Sequence, residues 1–152
     1  AALKFGMVNR DNEKELVFDW EQALKLEGET GPYVQYAVAR IHSVFRKYGK
    51  SLPQPQKADY SALAATAAEI KVIKLLQSFP AAVAAAAAQL KPAIVSRYLL
   101  DLSQAFSSFY NDCPILTAED DAREARLLLC EAVKQVLENG LSLLAIDVLE
   151  EM

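Results

Sequence analysis

Hydrophobic residues recur with the period of a helix between residues 31 and 48, which makes this segment the clearest predicted element of the chain. Six apolar positions fall within about 60° of one direction, as a core-facing helical stripe requires. They are Val34, Ala37, Val38, Ile41, Phe45 and Tyr48. Gly31 and Pro32 precede the stripe, and Pro32 suits the first turn, where its missing N–H would have no partner.

A second row of residues lies beside this stripe and combines aromatic rings with cations. It consists of Tyr33, Tyr36, Arg40, Ser43 and Lys47. Aromatic rings can stack on unpaired bases and cations can pair with phosphates, so the row could bind single-stranded RNA. The same residues also fit an ordinary surface of half-buried tyrosines with hydrated hydroxyls. Spacing alone favours the ordinary surface.

A proline-rich polar stretch over residues 50–60 separates the first long helix from the rest and is expected to be a loop. Residues 61–79 then show helical periodicity. Pro80 is expected to break or kink that helix, because proline lacks the N–H of a helical hydrogen bond. The alanine-rich residues 81–90 predict a further short helix, since alanine has the highest helix propensity.

Two more helices are expected in the C-terminal half. Pro92 opens one of them, and Pro114 stops it. Thr117 is expected to cap the next helix, and Asn139 with Gly140 to end or bend it, since these residues readily adopt a left-handed conformation. The predicted fold class is therefore all-α, a helical bundle of about five or six helices.

Composition supports a single helical domain and limits its chemistry. The chain has 152 residues, 53% of them hydrophobic, which is enough for a full core. Its net charge of −4 disfavours a general nucleic-acid binder. However, residues 30–58 contain five lysines and arginines and no acid. Such a local basic face permits phosphate contacts.

Several other classes of site are not expected. No apolar run reaches the ~18 residues of a membrane span. Cys113 and Cys130 provide no disulfide framework, and Cys130 stands among leucines as a buried thiol would. His42 is the only histidine, so no metal site is predicted. With no glycine-rich phosphate loop and no catalytic constellation, the chain is expected to bind and not to catalyse, without a cofactor of its own.

The order of residues adds a resemblance to a known family. The segment GETGPYVQYAVAR, residues 28–40, resembles a signature of arginyl-tRNA synthetases at the start of their C-terminal anticodon-binding domain. Residues 97–116 (RYLLDLSQAFSSFYNDCPIL) and residues 124–152 (EARLLLCEAVKQVLENGLSLLAIDVLEEM) resemble later parts of the same domain. The resemblance extends over essentially the whole chain.

The resemblance implies a set of tRNA-binding residues. Tyr33 and Tyr36 would stack on splayed bases or shape their pocket, and Arg40 would hydrogen-bond to a base edge or a phosphate. Tyr110 would form a second wall and Met152 a third. From the residues alone, Tyr110 could equally close the end of the core.

The resemblance also implies an organisation for the parent protein. Residues 1–152 would be the anticodon-binding domain, and residues 1–20 its junction with a catalytic domain in the same chain. In that junction Asp19 is expected to cap a short helix, and Trp20 to anchor the core. ATP and arginine would bind to the catalytic domain, and the parent would act in the cytoplasm. The expected partner is the tRNA anticodon loop, with neither DNA nor a membrane.

Two alternatives remain from the sequence. The first is the anticodon-binding domain of a related class I synthetase, such as the cysteinyl or methionyl enzyme. The segment GPYVQYAVAR and the final methionine argue against it. The second is a helical scaffold that binds only protein, for which Tyr33, Tyr36 and Arg40 should be buried or scattered.

Overall fold

A computed structural model describes residues 1–9 and 19–152, and these residues form helices and loops without a strand. The predicted all-α class and the number of helices are confirmed. The helices are α1 (Ala2–Val8), α2 (Trp20–Ala23), α3 (Gly31–Tyr48), α4 (Ala67–Gln89), α5 (Ala93–Asp112) and α6 (Asp120–Leu143). A 3-10 turn at Tyr60–Ala62 precedes α4. The predicted junction over residues 1–20 includes residues 10–18, which lie outside the described residues.

Helix α3 begins and ends where its sequence predicts. The Thr30 side chain accepts a hydrogen bond from the Tyr33 backbone N–H at 3.1 Å, and Pro32 lies in the first turn. Gly49 ends the helix in a left-handed conformation with φ of 66°, which costs glycine little. Helix α3 packs against α1, α5 and α6. Its predicted core stripe is confirmed, since four of the six side chains are buried and Phe45 and Tyr48 pack against the core.

Helix α5 is central to the bundle, since it contacts α1, α3, α4 and α6. Its side chains Leu99, Leu102 and Phe106 are completely buried. Cys130 of α6 is also completely buried, as predicted, and burial raises the pKa of its thiol to about 12. The thiol therefore stays protonated at neutral pH and acts as a small apolar group.

Three predicted helix boundaries are wrong: the start at residue 61, since α4 begins at Ala67, the break at Pro80 and the end at Gly140. Helix α4 continues through Pro80, so there is no separate helix over residues 81–90. Its alanine-rich second half favours helix strongly, and α4 packs along α5. Helix α6 likewise continues through Gly140 to Leu143. A Cβ at Gly140 would collide with the Leu99 side chain, so this glycine allows α5 and α6 to pack closely.

Two predicted roles near helix starts are also wrong. Helix α6 begins at Asp120 with Glu119 at its N-cap position and no capping side chain, so Thr117 is not its cap. Trp20 does not anchor the core, because 60% of it is exposed. The Asp19 cap of α2 is confirmed, since its carboxylate accepts hydrogen bonds from two backbone N–H groups of the first turn.

A buried ion pair joins α4 to α6. Arg126 Nε donates to Glu69 Oε1 at 2.8 Å, and its Nη1 donates to the carbonyl of Pro114 at 2.8 Å. The other carboxylate oxygen of Glu69 accepts from the Thr66 backbone N–H at 2.9 Å, completing a capping box at the start of α4. Glu69 is fully buried and Arg126 is 8% exposed. This network connects the start of α4, the α5–α6 loop and α6.

By length and composition alone, helix α4 could span a membrane, whereas no segment of that kind was expected from the sequence. One such helix is weak evidence, because long apolar helices also occur in proteins that cross no membrane. The ion pair between Glu69 and Arg126 ties the first turn of this helix to α6. Packing along α5 accounts for the apolar face of the helix that is turned inward.

Gly31→Ala is expected to lower the free energy of unfolding by at least about 1 kcal/mol. A Cβ at this position would lie 2.7 Å from Phe5 Cβ and 3.1 Å from the Ala1 carbonyl oxygen, so α1 would have to shift away from α3. Urea unfolding of both proteins measures the difference. Lys47→Ala provides a control within α3, because Lys47 is exposed and alanine at this position creates no clash and favours helix. Unchanged stability of the Gly31 variant would show that α1 does not depend on this close contact.

Candidate nucleic-acid interface

A cleft runs beside α3 and is closed by α5 and by the C-terminal segment that follows α6. It has a volume of about 480 Å³ and is open to solvent. It is lined by Tyr36, Ala39, Arg40, Ser43, Arg46, Tyr110, Glu151 and Met152. Tyr36, Arg40 and Ser43 are the middle three residues of the second row on α3, so this part of the row faces a concave surface, whereas Tyr33 and Lys47 do not line it.

Arg40 lies in the middle of this cleft between two aromatic rings. Its Cζ is 4.1 Å from the centroid of the Tyr110 ring and 5.4 Å from that of Tyr36. Both distances allow cation–π attraction, in which a ring face attracts the guanidinium charge. The Tyr110 ring also packs 6.0 Å from Phe106, so it closes the core on one side and lines the cleft on the other.

Side chains of α5 fix the plane of the guanidinium. Arg40 Nη1 donates to Ser107 Oγ at 3.1 Å, and Nη2 donates to Asn111 Oδ1 at 3.5 Å. These contacts use two of the five N–H donors of arginine. The remaining donors and a partly exposed planar face can therefore meet a ligand in a fixed orientation.

The C-terminal segment reaches the cleft because several contacts hold it against the bundle. Ile146 is buried, and the buried Gln35 donates from Nε2 to the Asp147 carbonyl at 2.5 Å. Lys4 Nζ donates to the Ala145 carbonyl at 2.6 Å. Beyond these anchors Met152 borders the cleft with 53% of its surface exposed.

The structure brings four of the five predicted tRNA-binding residues together and leaves one apart. Tyr36, Arg40, Tyr110 and Met152 line the cleft. Tyr33 lies one turn before Tyr36, is partly buried and packs against the core instead. Arg46 and Glu151 were not predicted at the site. Arg46 could have been found, because positions 36, 39, 43 and 46 follow one helix face.

The described residues contain no group of three or more histidine, cysteine or acidic side chains that could hold a metal ion. The cleft combines two arginines, two tyrosines and one carboxylate. Such a set can stack on flat rings and bind anions.

Comparison with known proteins identifies the family. A family model described as the DALR anticodon binding domain matches residues 34–152. The chain belongs to this family. The arginine–tRNA ligase of Clostridium botulinum (strain 657, type Ba4) is 45% identical over 152 residues, covering 99% of the chain and 26% of that protein. That of Clostridium kluyveri (strain ATCC 8527) is 41% identical and is covered over 27% of its length.

A solved structure agrees with these sequences. Thermus thermophilus arginyl-tRNA synthetase superposes with a TM-score of 0.90 at 39% identity, over 99% of this DALR domain and 26% of that chain. The resemblance to the anticodon-binding domain of arginyl-tRNA synthetases is thus confirmed. The chain spans about a quarter of the length of the relatives that it matches. The family match includes every residue that lines the cleft, whereas Tyr33 precedes it.

Proposed function

We propose that this DALR domain recognises the anticodon loop of an arginine-accepting tRNA. The parent protein would be a cytoplasmic arginine–tRNA ligase that joins arginine to this tRNA with ATP. ATP and arginine would bind to its catalytic domain, outside the present chain. The observation that carries the proposal is the guanidinium of Arg40, held between two tyrosine rings in an open cleft.

The chemistry of the cleft suits an unstacked RNA loop. Loop bases expose faces and edges that are hidden in a duplex, and proteins read them by stacking and hydrogen bonding. Tyr36 and Tyr110 offer ring surface, and Arg40 offers oriented N–H donors. Met152 has a flexible thioether that can fill space beside a base. A cleft of about 480 Å³ falls within the usual size range of ligand sites.

Tyr33 takes an indirect role in this proposal. It precedes Tyr36 by one turn on α3 and packs against the core. It would shape the end of the base pocket and would not form the stacking surface itself.

Residues 1–20 would form the junction with the catalytic domain in the same chain. The apolar side chains Leu3, Trp20, Leu24 and Leu26 are each about half exposed and border one shallow depression together with Met152. Apolar surface of this kind commonly marks a contact with another domain. Its position beside Met152 would place the junction close to the RNA cleft.

The first test is a titration of this chain with an arginine-accepting tRNA and with the same tRNA changed at the central anticodon base. We expect weaker binding of the changed tRNA by a factor of about 5 to 150, because one base contact typically contributes about 1–3 kcal/mol. The titration is repeated over a range of salt concentrations. Phosphate contacts alone depend on salt but do not distinguish the two bases.

Equal binding of the two tRNAs would contradict anticodon reading and leave only contacts to the backbone. No binding of either tRNA would contradict the proposal for this chain and favour the scaffold alternative. A tRNA that accepts methionine serves as a further control, because it tests the related-synthetase alternative directly.

A further inference from the structure

We propose that Arg46 is a phosphate-binding residue of the cleft and that the Glu151 carboxylate pairs with Arg46 when RNA is absent. The inference rests on the proposed function and adds a second cation and an internal competitor to the same site. Arg46 lies six residues after Arg40 on α3, about 9 Å further along the helix axis. If an RNA base contacts Arg40, the phosphate backbone of the same RNA could therefore lie beside Arg46.

In this structure, which contains no RNA, the C-terminal segment provides the partners of the Arg46 guanidinium. Its Nη1 donates to the Glu150 carbonyl at 3.2 Å and lies 3.4 Å from Glu151 Oε1. The side chain of Arg46 is 49% exposed and that of Glu151 is 77% exposed. Both groups are therefore open to solvent and border the cleft. The carboxylate thus stands where an RNA phosphate would have to approach.

Physical chemistry favours exchange of the carboxylate for a phosphate. An exposed ion pair contributes little to stability, because water screens it and two flexible side chains must be ordered. A phosphate offers several acceptor oxygens in a geometry that the guanidinium fork matches. Glu151 can leave without unfolding the tail, because Ile146 and the hydrogen bond from Gln35 to Asp147 hold the segment further upstream.

A different role for the ion pair between Arg46 and Glu151 predicts the opposite change in RNA affinity when Glu151 is neutralised. If Glu151 served only to hold Met152 in the cleft, neutralising it would loosen the wall and weaken RNA binding. If Glu151 competes with phosphate, neutralising it strengthens binding. The sign of one affinity change therefore distinguishes the two roles.

The test uses the 152-residue chain and a hairpin RNA that carries the anticodon arm of an arginine-accepting tRNA. Glu151→Gln is expected to bind roughly two- to five-fold more tightly, in line with the small contribution of an exposed ion pair. Glu150→Gln is the matched control, since it changes the net charge equally and contacts Arg46 only through its carbonyl. Glu150→Gln should have a clearly smaller effect.

Arg46→Gln is expected to weaken binding and to reduce the slope of log K against log salt by about 0.7, as for one lost phosphate contact to a single strand. Lys47→Gln is its control, because Lys47 is an exposed neighbouring cation outside the cleft lining. Thermal unfolding of each variant checks that the fold is intact.

Each result supports or overturns the inference. Weaker binding by Glu151→Gln, or an effect equal to that of Glu150→Gln, would overturn the competition. An unchanged salt slope for Arg46→Gln would overturn the phosphate contact. Discrimination between hairpins with normal and changed anticodons by the unmutated chain tests the proposed function separately. If the unmutated chain bound neither hairpin, the proposed function would fail and this inference with it.

Discussion

Glu69→Ala is expected to lower the free energy of unfolding by about 3–5 kcal/mol. The substitution leaves the Arg126 guanidinium buried opposite an apolar side chain, and an uncompensated buried charge is strongly destabilising. It also removes the acceptor for the Thr66 backbone N–H, so the capping box of α4 is lost. Urea unfolding followed by circular dichroism measures the loss.

Three further variants identify the cause of that loss. Glu69→Gln can still accept from the Thr66 N–H but lacks the charge, so it should destabilise less than alanine. The double variant Glu69→Leu with Arg126→Met should recover much of the stability, because an apolar pair avoids the cost of burying charge. Asp101→Ala, on the exposed face of α5, should change stability by less than about 0.5 kcal/mol. A loss for Glu69→Ala as small as that of Asp101→Ala would show that the ion pair is not buried in solution.

Arg40→Ala is expected to weaken tRNA binding by about 1–3 kcal/mol while the domain stays folded. The side chain is partly exposed and held by Tyr110, Ser107 and Asn111, so its removal takes donors from the cleft and leaves the core intact. Isothermal titration with the arginine-accepting tRNA measures the loss. The loss should be smaller for the tRNA with a changed anticodon, since part of the contact to Arg40 is already absent there.

Arg40→Lys separates charge from geometry. Lysine keeps the positive charge but lacks the planar fork, so it should restore the salt-dependent part of binding and little of the discrimination between anticodons. Arg97→Ala is the matched control, because Arg97 forms an exposed ion pair with Glu29 outside the cleft. If the Arg40→Ala variant and the unmutated chain bound the tRNA with equal affinity, Arg40 would not be a tRNA-binding residue.

The parts of the fold that could be predicted from sequence are those determined by neighbouring residues. The period of α3 and the proline in its first turn are local signals, and each predicted the structure correctly. The continuation through Pro80 and Gly140 could not be predicted in this way, because it depends on packing against α5. One local signal was missed. Thr66 and Glu69 have the spacing of a capping box, which marks the start of α4 better than the alanine-rich residues before it.

In the cleft too, local spacing could be predicted from the sequence and packing between helices could not. The row on α3 predicted that Tyr36 and Arg40 lie together, because their spacing is a property of one helix. That Tyr110 and Met152 meet them followed only from resemblance to a family. No spacing rule connects residues 40, 110 and 152, which are brought together by the packing of α3, α5 and α6. The prediction for Trp20 was wrong for a different reason. Its large apolar side chain suggested a position in the core, whereas it lies on the surface.

The assembly of the cleft from α3, α5 and the chain's last residues couples ligand binding to folding. Its walls come together only in the folded state, so an RNA that binds there must also raise the temperature at which the domain melts. At a ligand concentration 100 times the Kd the gain is about 2.7 kcal/mol. A thermal melt can therefore report binding without any label. By the same thermodynamics, substitutions far from the cleft that destabilise the bundle will weaken apparent RNA affinity once unfolded chains become a substantial fraction of the sample.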